Sequence, residues 1–119
     1  TLMTVEQSEL IDTVSLDPET GTCTLGILDD LMWDDAHLQL LQAKLNTYLR
    51  FVESGEIYVQ YPAAQGLDFA IEILCIYAPG VSANLFLATA ENIVNEAGYI
   101  LRVAPLGSDY ADETLAGSL

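Results

Sequence analysis

The stretch from residue 29 to residue 41, DDLMWDDAHLQLL, concentrates the side chains that could do chemistry in this sequence. It holds the only tryptophan, Trp33, and the only histidine, His37. Its four aspartates are Asp29, Asp30, Asp34 and Asp35. Carboxylates can bind cations, but a calcium loop alternates its ligands around a glycine, and that pattern is absent here. We therefore predict no metal site. Asp34 or Asp35 is instead expected to cap a helix, and an acidic patch that faces a partner is the alternative.

Acid–base chemistry is the second chemical use of these groups. His37 has no second histidine beside it in sequence, and no serine or cysteine nucleophile has a recognisable triad pattern, so a hydrolase is disfavoured. Glu53 and Glu56 flank a glycine turn close to Tyr58 and Tyr61. Catalysis by such a pair would require a desolvated carboxyl group in a pocket. Solvated turn residues are the simpler interpretation, and a small enzyme that uses carboxylates with a tyrosine or His37 stays an alternative.

Cofactor motifs are absent from the sequence. It contains no GxGxxG, GxxxxGK[ST] or HExxH pattern, so we predict neither a nucleotide cofactor nor zinc peptidase chemistry. Cys23 and Cys75 lie in apolar stretches without zinc-ligand spacing. We expect both to be buried free thiols.

Charge restricts the choice of partner. Eighteen acidic residues against three basic ones give a net charge of -15, which repels nucleic acids and anionic lipid surfaces. Such a surface favours encounter with a basic protein, or it serves solubility alone. No apolar run is long enough to cross a membrane and no signal peptide is recognisable, so we predict a cytoplasmic protein.

Hydrophobic periodicity predicts the elements that position these groups. Strands are expected at 10–16, 22–28, 56–62, 68–78 and 99–104. The first two form a hairpin around DPETG, and 68–78 is central. Helices are expected from 34 to 52 and from a Ser82 cap to Gly98, with Ile93 in the apolar stripe of the second.

The predicted fold class follows from this order, β-β-α-β-β-α-β. It is α+β: a two-layer sandwich in which two helices pack on one face of a mainly antiparallel sheet of about five strands. Residues 1–105 form a single globular domain, and residues 106–119 form an acidic tail.

Three stretches carry a resemblance. At VEQSELIDTVSLD, WDDAHLQLLQAKLNTYLRFVESGEIYVQYPAAQG and NEAGY, the chain resembles a bacterial family of short acidic proteins classed as a domain of unknown function. The likeness extends over roughly residues 4–104, and Trp33–Gly66 is its most specific part. It implies no activity, substrate or cofactor, so it assigns no role to any residue.

Three functional hypotheses remain. The first is a non-enzymatic protein-binding module, similar to an immunity protein or antitoxin, that masks a basic partner. The second is a homodimer formed through the 56–62 strand edge or the flank of the second helix. The third is the small enzyme described above. For the first, charged residues steer the partner and tyrosines anchor it: Asp29, Asp30, Asp34, Asp35, Glu53, Glu56, Tyr58 and Tyr61.

Overall fold

A four-stranded sheet with helices packed on one face forms the fold in a computed structural model that describes residues 11–107 and Tyr110. The strands are β1 (Thr13–Asp17), β2 (Thr22–Asp29), β3 (Asp68–Cys75) and β4 (Ile100–Pro105). The helices are α1 (Asp35–Glu53), α2 (Glu56–Gln60) and α3 (Val81–Glu96), with a 3-10 turn at Pro62–Ala64. The α+β class is therefore confirmed, whereas five strands and two helices were expected.

The sheet is mixed, so the expectation of a mainly antiparallel sheet was wrong. Its order is β1-β2-β3-β4; β1 and β2 are antiparallel, and the other two neighbouring pairs are parallel. The reason is that α1 and α3 each return the chain to the end of the sheet where the preceding strand began, so the next strand runs in the same direction.

The predicted hairpin is confirmed. Val14 pairs with Leu25 and Leu16 with Cys23, which places the apolar side chains of both strands on the helix-covered face. Gly21 closes the turn with a φ of 72°, a left-handed conformation that glycine adopts without steric cost.

The segment 56–62 was predicted as a strand, but its first five residues form the helix α2 and Pro62 begins the 3-10 turn. Ile57 is buried and the neighbouring Tyr58 ring packs edge-on to Phe69 at 6.0 Å, while Val59 is 80% exposed. Consecutive side chains that both face the protein are incompatible with a strand that buries one face and compatible with a helix. The Ile-Val-Tyr alternation was therefore misleading, because tertiary packing decides between helix and strand in so short a segment.

The second predicted helix exists, but its start and its apolar face differ from the prediction. Gly80 and not Ser82 is the N-cap of α3, and no side chain caps it. Ile93, predicted to lie in the apolar stripe, is 54% exposed. Gly98 follows the helix with a φ of 95°, as expected of a helix stop.

The core lies between the sheet and the helices. Its strand residues include Cys23, Leu25, Ile27, Phe69, Ile71, Ile73, Cys75 and Leu101, and its helix residues include Leu41, Leu45, Tyr48, Phe51, Val52, Ile57, Leu87, Ala90 and Val94. Both cysteines are buried free thiols, as predicted. Of the predicted tail 106–119, only Leu106, Gly107 and Tyr110 belong to the described residues; the rest lies outside them, as does the first residue of the predicted strand 10–16.

Candidate partner-binding surface

Asp29 and His37 form a buried pair beneath the loop that joins β2 to α1. Asp29 is the last residue of β2, and its Oδ2 contacts His37 Nε2. The other ring nitrogen, Nδ1, lies 3.0 Å from the carbonyl oxygen of Met32. A carbonyl can only accept, so Nδ1–H donates to it, and a second hydrogen bond joins Nε2 to Asp29 Oδ2.

The same loop is fixed by aromatic and capping contacts. The Trp33 ring stacks on His37 at 4.1 Å, and its Nε1–H donates to the carbonyl oxygen of Tyr77 at 2.8 Å. The carboxylate of Asp34 accepts the backbone N–H of His37 at 2.8 Å, which confirms the predicted N-cap. His37 is only 1% exposed and uses both ring nitrogens internally, so in this conformation it presents no group to a substrate.

A buried ion pair between Lys44 and Asp12 connects α1 to the sheet. Lys44 Nζ donates to Asp12 Oδ1 at 2.6 Å, and both side chains are fully buried. The other carboxylate oxygen, Oδ2, accepts Leu28 N–H at 2.9 Å. The Tyr48 hydroxyl donates to the carbonyl oxygen of Gly26 at 2.5 Å and accepts the N–H of Asp12 at 2.7 Å. Sequence analysis missed this network because Lys44, a residue usually found at the surface, interrupts the apolar spacing of α1.

Burial controls the ionisation of the nearby weak acids. It raises the pKa of Tyr48 well above its ordinary value. Burial, with a smaller contribution from the Asp29 carboxylate, raises the pKa of Cys75 to about 12. Both groups therefore stay protonated at neutral pH.

Most exposed acids of the described residues lack a basic partner. Of the three basic side chains, Lys44 is buried on Asp12, and Arg102 lies 3.7 Å from Glu72. Arg50, exposed in the last turn of α1, forms no ion pair with a described residue. The exposed acids of residues 11–107 that form no ion pair with a described residue are Asp17, Glu19, Asp30, Asp34, Asp35, Glu53, Glu56, Asp68, Glu91 and Glu96.

The structure divides the predicted site residues among three places. Asp29 is buried, and Asp30, Asp34 and Asp35 lie exposed around the N-terminus of α1. Glu53 and Glu56 flank the other end of that helix, which is ~27 Å away for 19 residues. Tyr58 and Tyr61 belong to the second end, where Tyr58 is half-buried on Phe69 and Tyr61 is 37% exposed. The predicted residues therefore form two acidic ends and not one patch.

A largely apolar furrow between α1 and α3 lies between these two ends. We define the groove as the cavity of about 220 Å³ lined by Gln42, Leu45, Asn46, Leu49, Phe86, Thr89, Ala90, Ile93 and Val94. A second, separate pocket of about 270 Å³ lies between the N-termini of the two helices and is lined by Trp33, Asp34, Asp35, Leu38, Gly80, Val81, Ser82 and Ala83. Sequence analysis did not identify the groove. Its signal was the width of the apolar stripe of α1, in which Leu38 and Leu49 flank the core side.

The chain matches a protein family over most of its length. Residues 3–107 match a family of unknown function, DUF6572. The chain belongs to this family. The DUF6572 match confirms the expected resemblance and includes both acidic ends and the groove. No curated protein and no solved structure matches the chain.

Two further properties concern the described residues alone. Among them, no three His, Cys, Asp or Glu side chains are arranged to hold a metal ion. None of the helices within residues 11–107 is both long enough and apolar enough to cross a bilayer.

Proposed function

We propose that this protein is a non-enzymatic binding module that captures a basic protein on its acidic surface, in the manner of an immunity protein or antitoxin. The supporting observation is the segregation of charge. Lys44 and Arg102 are engaged by acids of the same chain, whereas the acids at both ends of α1 are exposed and form no ion pair within the described part of the chain.

Uncompensated surface carboxylates act over distance. At low ionic strength they accelerate the encounter with a cationic partner and orient it. At 0.1 M salt this attraction is largely screened beyond about 10 Å. They contribute little to the stability of the fold, because exposed charges without partners gain almost nothing from folding. Their accumulation is therefore better explained by an external partner than by the fold.

Three of the residues first expected in this role are engaged within the protein, and Tyr58 is one of them because its ring packs on Phe69. Asp29 is paired with His37 inside the protein, and Asp34 caps α1. Asp30, Asp35, Glu53 and Glu56 are left to steer the partner, with Tyr61 as an exposed anchor at the second end.

Self-association is the competing proposal. The strand edge on which it partly depended does not exist, because residues 56–60 are helical. The flank of α3 does expose Leu85 and Ile93, but two copies that each carry a net charge of -15 repel one another. Sedimentation at low and high salt tests this, since a dimer would appear only when repulsion is screened.

The test of the proposal is affinity capture from host lysate at low and high salt, followed by mass spectrometry. The wild type is compared with Asp35→Asn/Glu53→Gln and with the charge-matched control Glu19→Gln/Glu91→Gln. We expect one basic protein that high salt releases and that the first variant retains poorly. Recovery of no basic protein, or equal loss with both variants, would count against a specific acidic surface.

A further inference from the structure

We infer that the groove between α1 and α3 docks an amphipathic basic segment of the partner, which is helical when bound. This inference rests on the proposed function and specifies where the partner binds and what chemistry it presents. The groove has the two features that such a segment requires, an apolar floor and negatively charged ends.

The apolar floor is one part of the argument. Leu45, Leu49, Phe86, Ile93 and Val94 line the groove. Leu45 and Val94 are buried at its base, Leu49 and Phe86 are half-buried, and Ile93 is 54% exposed. Apolar side chains that stay accessible along a furrow between two helices are the usual receptor for the apolar face of a third helix. Anchors spaced three or four residues apart on the incoming segment would fill it.

The charges at the ends of the groove select the occupant. On α1, Asp35 and Glu53 lie on the same helical stripe as Gln42 and Leu49, because successive spacings of three, four or seven residues return to one side of a helix. Asp35 precedes the groove residues and Glu53 follows them, and Glu96 occupies the last turn of α3. Lysine or arginine residues at both ends of an apolar stripe would therefore meet carboxylates at both ends of the groove.

Charge complementarity also excludes the other obvious occupants. A second copy of this chain would bring a further net charge of -15. The remaining C-terminal residues, ADETLAGSL, contain two acids and no base. Both would place carboxylates against the acids at the groove ends, which costs free energy, whereas a basic segment gains it.

The experiment uses two synthetic peptides of 18 residues with the same leucine and lysine content. One has an amphipathic helical arrangement, and the other is a scrambled control without an apolar face. Each is labelled with fluorescein, and its binding to the full chain is measured by fluorescence anisotropy at low salt. The protein variants are Ile93→Gln in the groove and Leu85→Gln on the exposed flank of the same helix.

Both substituted residues are exposed on α3 in the native protein, Ile93 at 54% and Leu85 at 68%, so neither change should unfold it. We expect the amphipathic peptide to bind at least about tenfold more tightly than the scrambled one. Ile93→Gln should weaken it by about tenfold, because a polar amide replaces the aliphatic side chain that would be buried against the peptide. Leu85→Gln should leave the affinity within about twofold.

The other outcomes overturn the inference in distinguishable ways. Equal binding of both peptides, unaffected by Ile93→Gln, would show that the acidic surface captures basic chains elsewhere than in the groove; the proposed function would survive and the docking site would not. No binding of either peptide at low salt would contradict both. A dimer of the free protein that Ile93→Gln dissociates would assign the groove to a second copy.

Discussion

Ionisable side chains are buried and paired in one region of this molecule and exposed in another. Beneath β2, the Asp12–Lys44 and Asp29–His37 pairs are buried and hydrogen-bonded. Around the ends of α1, Asp30, Asp35, Glu53 and Glu56 are exposed and form no ion pair with a described residue. The buried pairs hold the fold, since removing one member leaves the other buried without its hydrogen-bond partner, and the exposed acids are available to another molecule.

The largest effect is expected from breaking the pair between Asp12 and Lys44. Lys44→Met leaves the Asp12 carboxylate without its cation in a fully buried position, which should lower the free energy of unfolding by about 3–5 kcal/mol. Urea denaturation of Lys44→Met and of the exposed control Arg50→Met measures the difference. A loss below about 1 kcal/mol would show that the buried pair does not hold the fold.

Breaking the pair between Asp29 and His37 should cause the next largest loss of stability. His37→Ala removes the partner of Asp29, the bond to Met32 and the ring that stacks on Trp33, at an expected cost of about 2–4 kcal/mol. Gln39→Ala, on the exposed side of α1, should stay within about 0.5 kcal/mol. Equal stability of the two variants would remove the distinction between buried and exposed regions at this loop.

Alkaline pH tests the core from another direction. The pKa of Cys75 is raised to about 12 by burial and by Asp29, from an ordinary value of 9.0. Between these values the unfolded chain has released the thiol proton and the folded protein retains it, so stability falls as the pH rises. Cys75 contributes at most about 1.4 kcal/mol per pH unit in that window.

Thermal unfolding of the wild type and Cys75→Ala from pH 8 to pH 11 isolates this contribution. The variant is expected to be less stable at pH 8 because of the cavity, but to lose stability more slowly as the pH rises. Parallel pH profiles for the two proteins would mean that the thiol does not titrate in this way.

Within the exposed cluster, one aspartate has a structural role. Asp34→Ala removes the N-cap of α1 and should cost about 1 kcal/mol. Asp35→Ala removes only a first-turn charge and should cost about 0.3–1 kcal/mol. Chemical denaturation of both variants distinguishes them, and a larger loss for Asp35 would reverse the assignment of cap and partner-facing residue.

The smallest expected effect concerns the whole acidic surface. Raising salt from low to moderate concentration should screen repulsion and raise the melting temperature by about 2–4 °C, equivalent to roughly 0.5 kcal/mol. Scanning calorimetry in sodium chloride measures it. A flat or falling midpoint would indicate that the exposed acids are already compensated.

Sequence alone predicted the parts of the fold that depend on local signals. The hairpin, the 34–52 helix with a cap at Asp34 or Asp35, and the central strand from Asp68 follow from turn residues, capping chemistry and long periodic runs. The segment 56–62 was mistaken for a strand because seven residues are too few to distinguish a helical from a strand period. The parallel pairing of β3 was missed because strand direction depends on the crossover helices and not on strand composition.

Of the candidate site, only its acidic composition could be predicted from the sequence. An excess of acids is visible in the sequence, but which of them are exposed is not. Asp29 and Asp30 are adjacent and identical, yet one is buried on His37 and the other is exposed. The groove depends on the separation of two helices far apart in the chain, which no local pattern encodes.

The central claim is that the exposed acids serve binding and not stability. Its most direct test is low-salt capture of the basic partner by Asp30→Asn/Asp35→Asn/Glu53→Gln/Glu56→Gln, beside urea unfolding of the same protein. We predict that recovery of the partner falls at least about tenfold, while the free energy of unfolding changes by no more than about 1 kcal/mol, because relief of charge repulsion offsets the loss of the Asp35 first-turn charge. Recovery equal to that of the wild type, or a loss of several kcal/mol in stability, would contradict the claim.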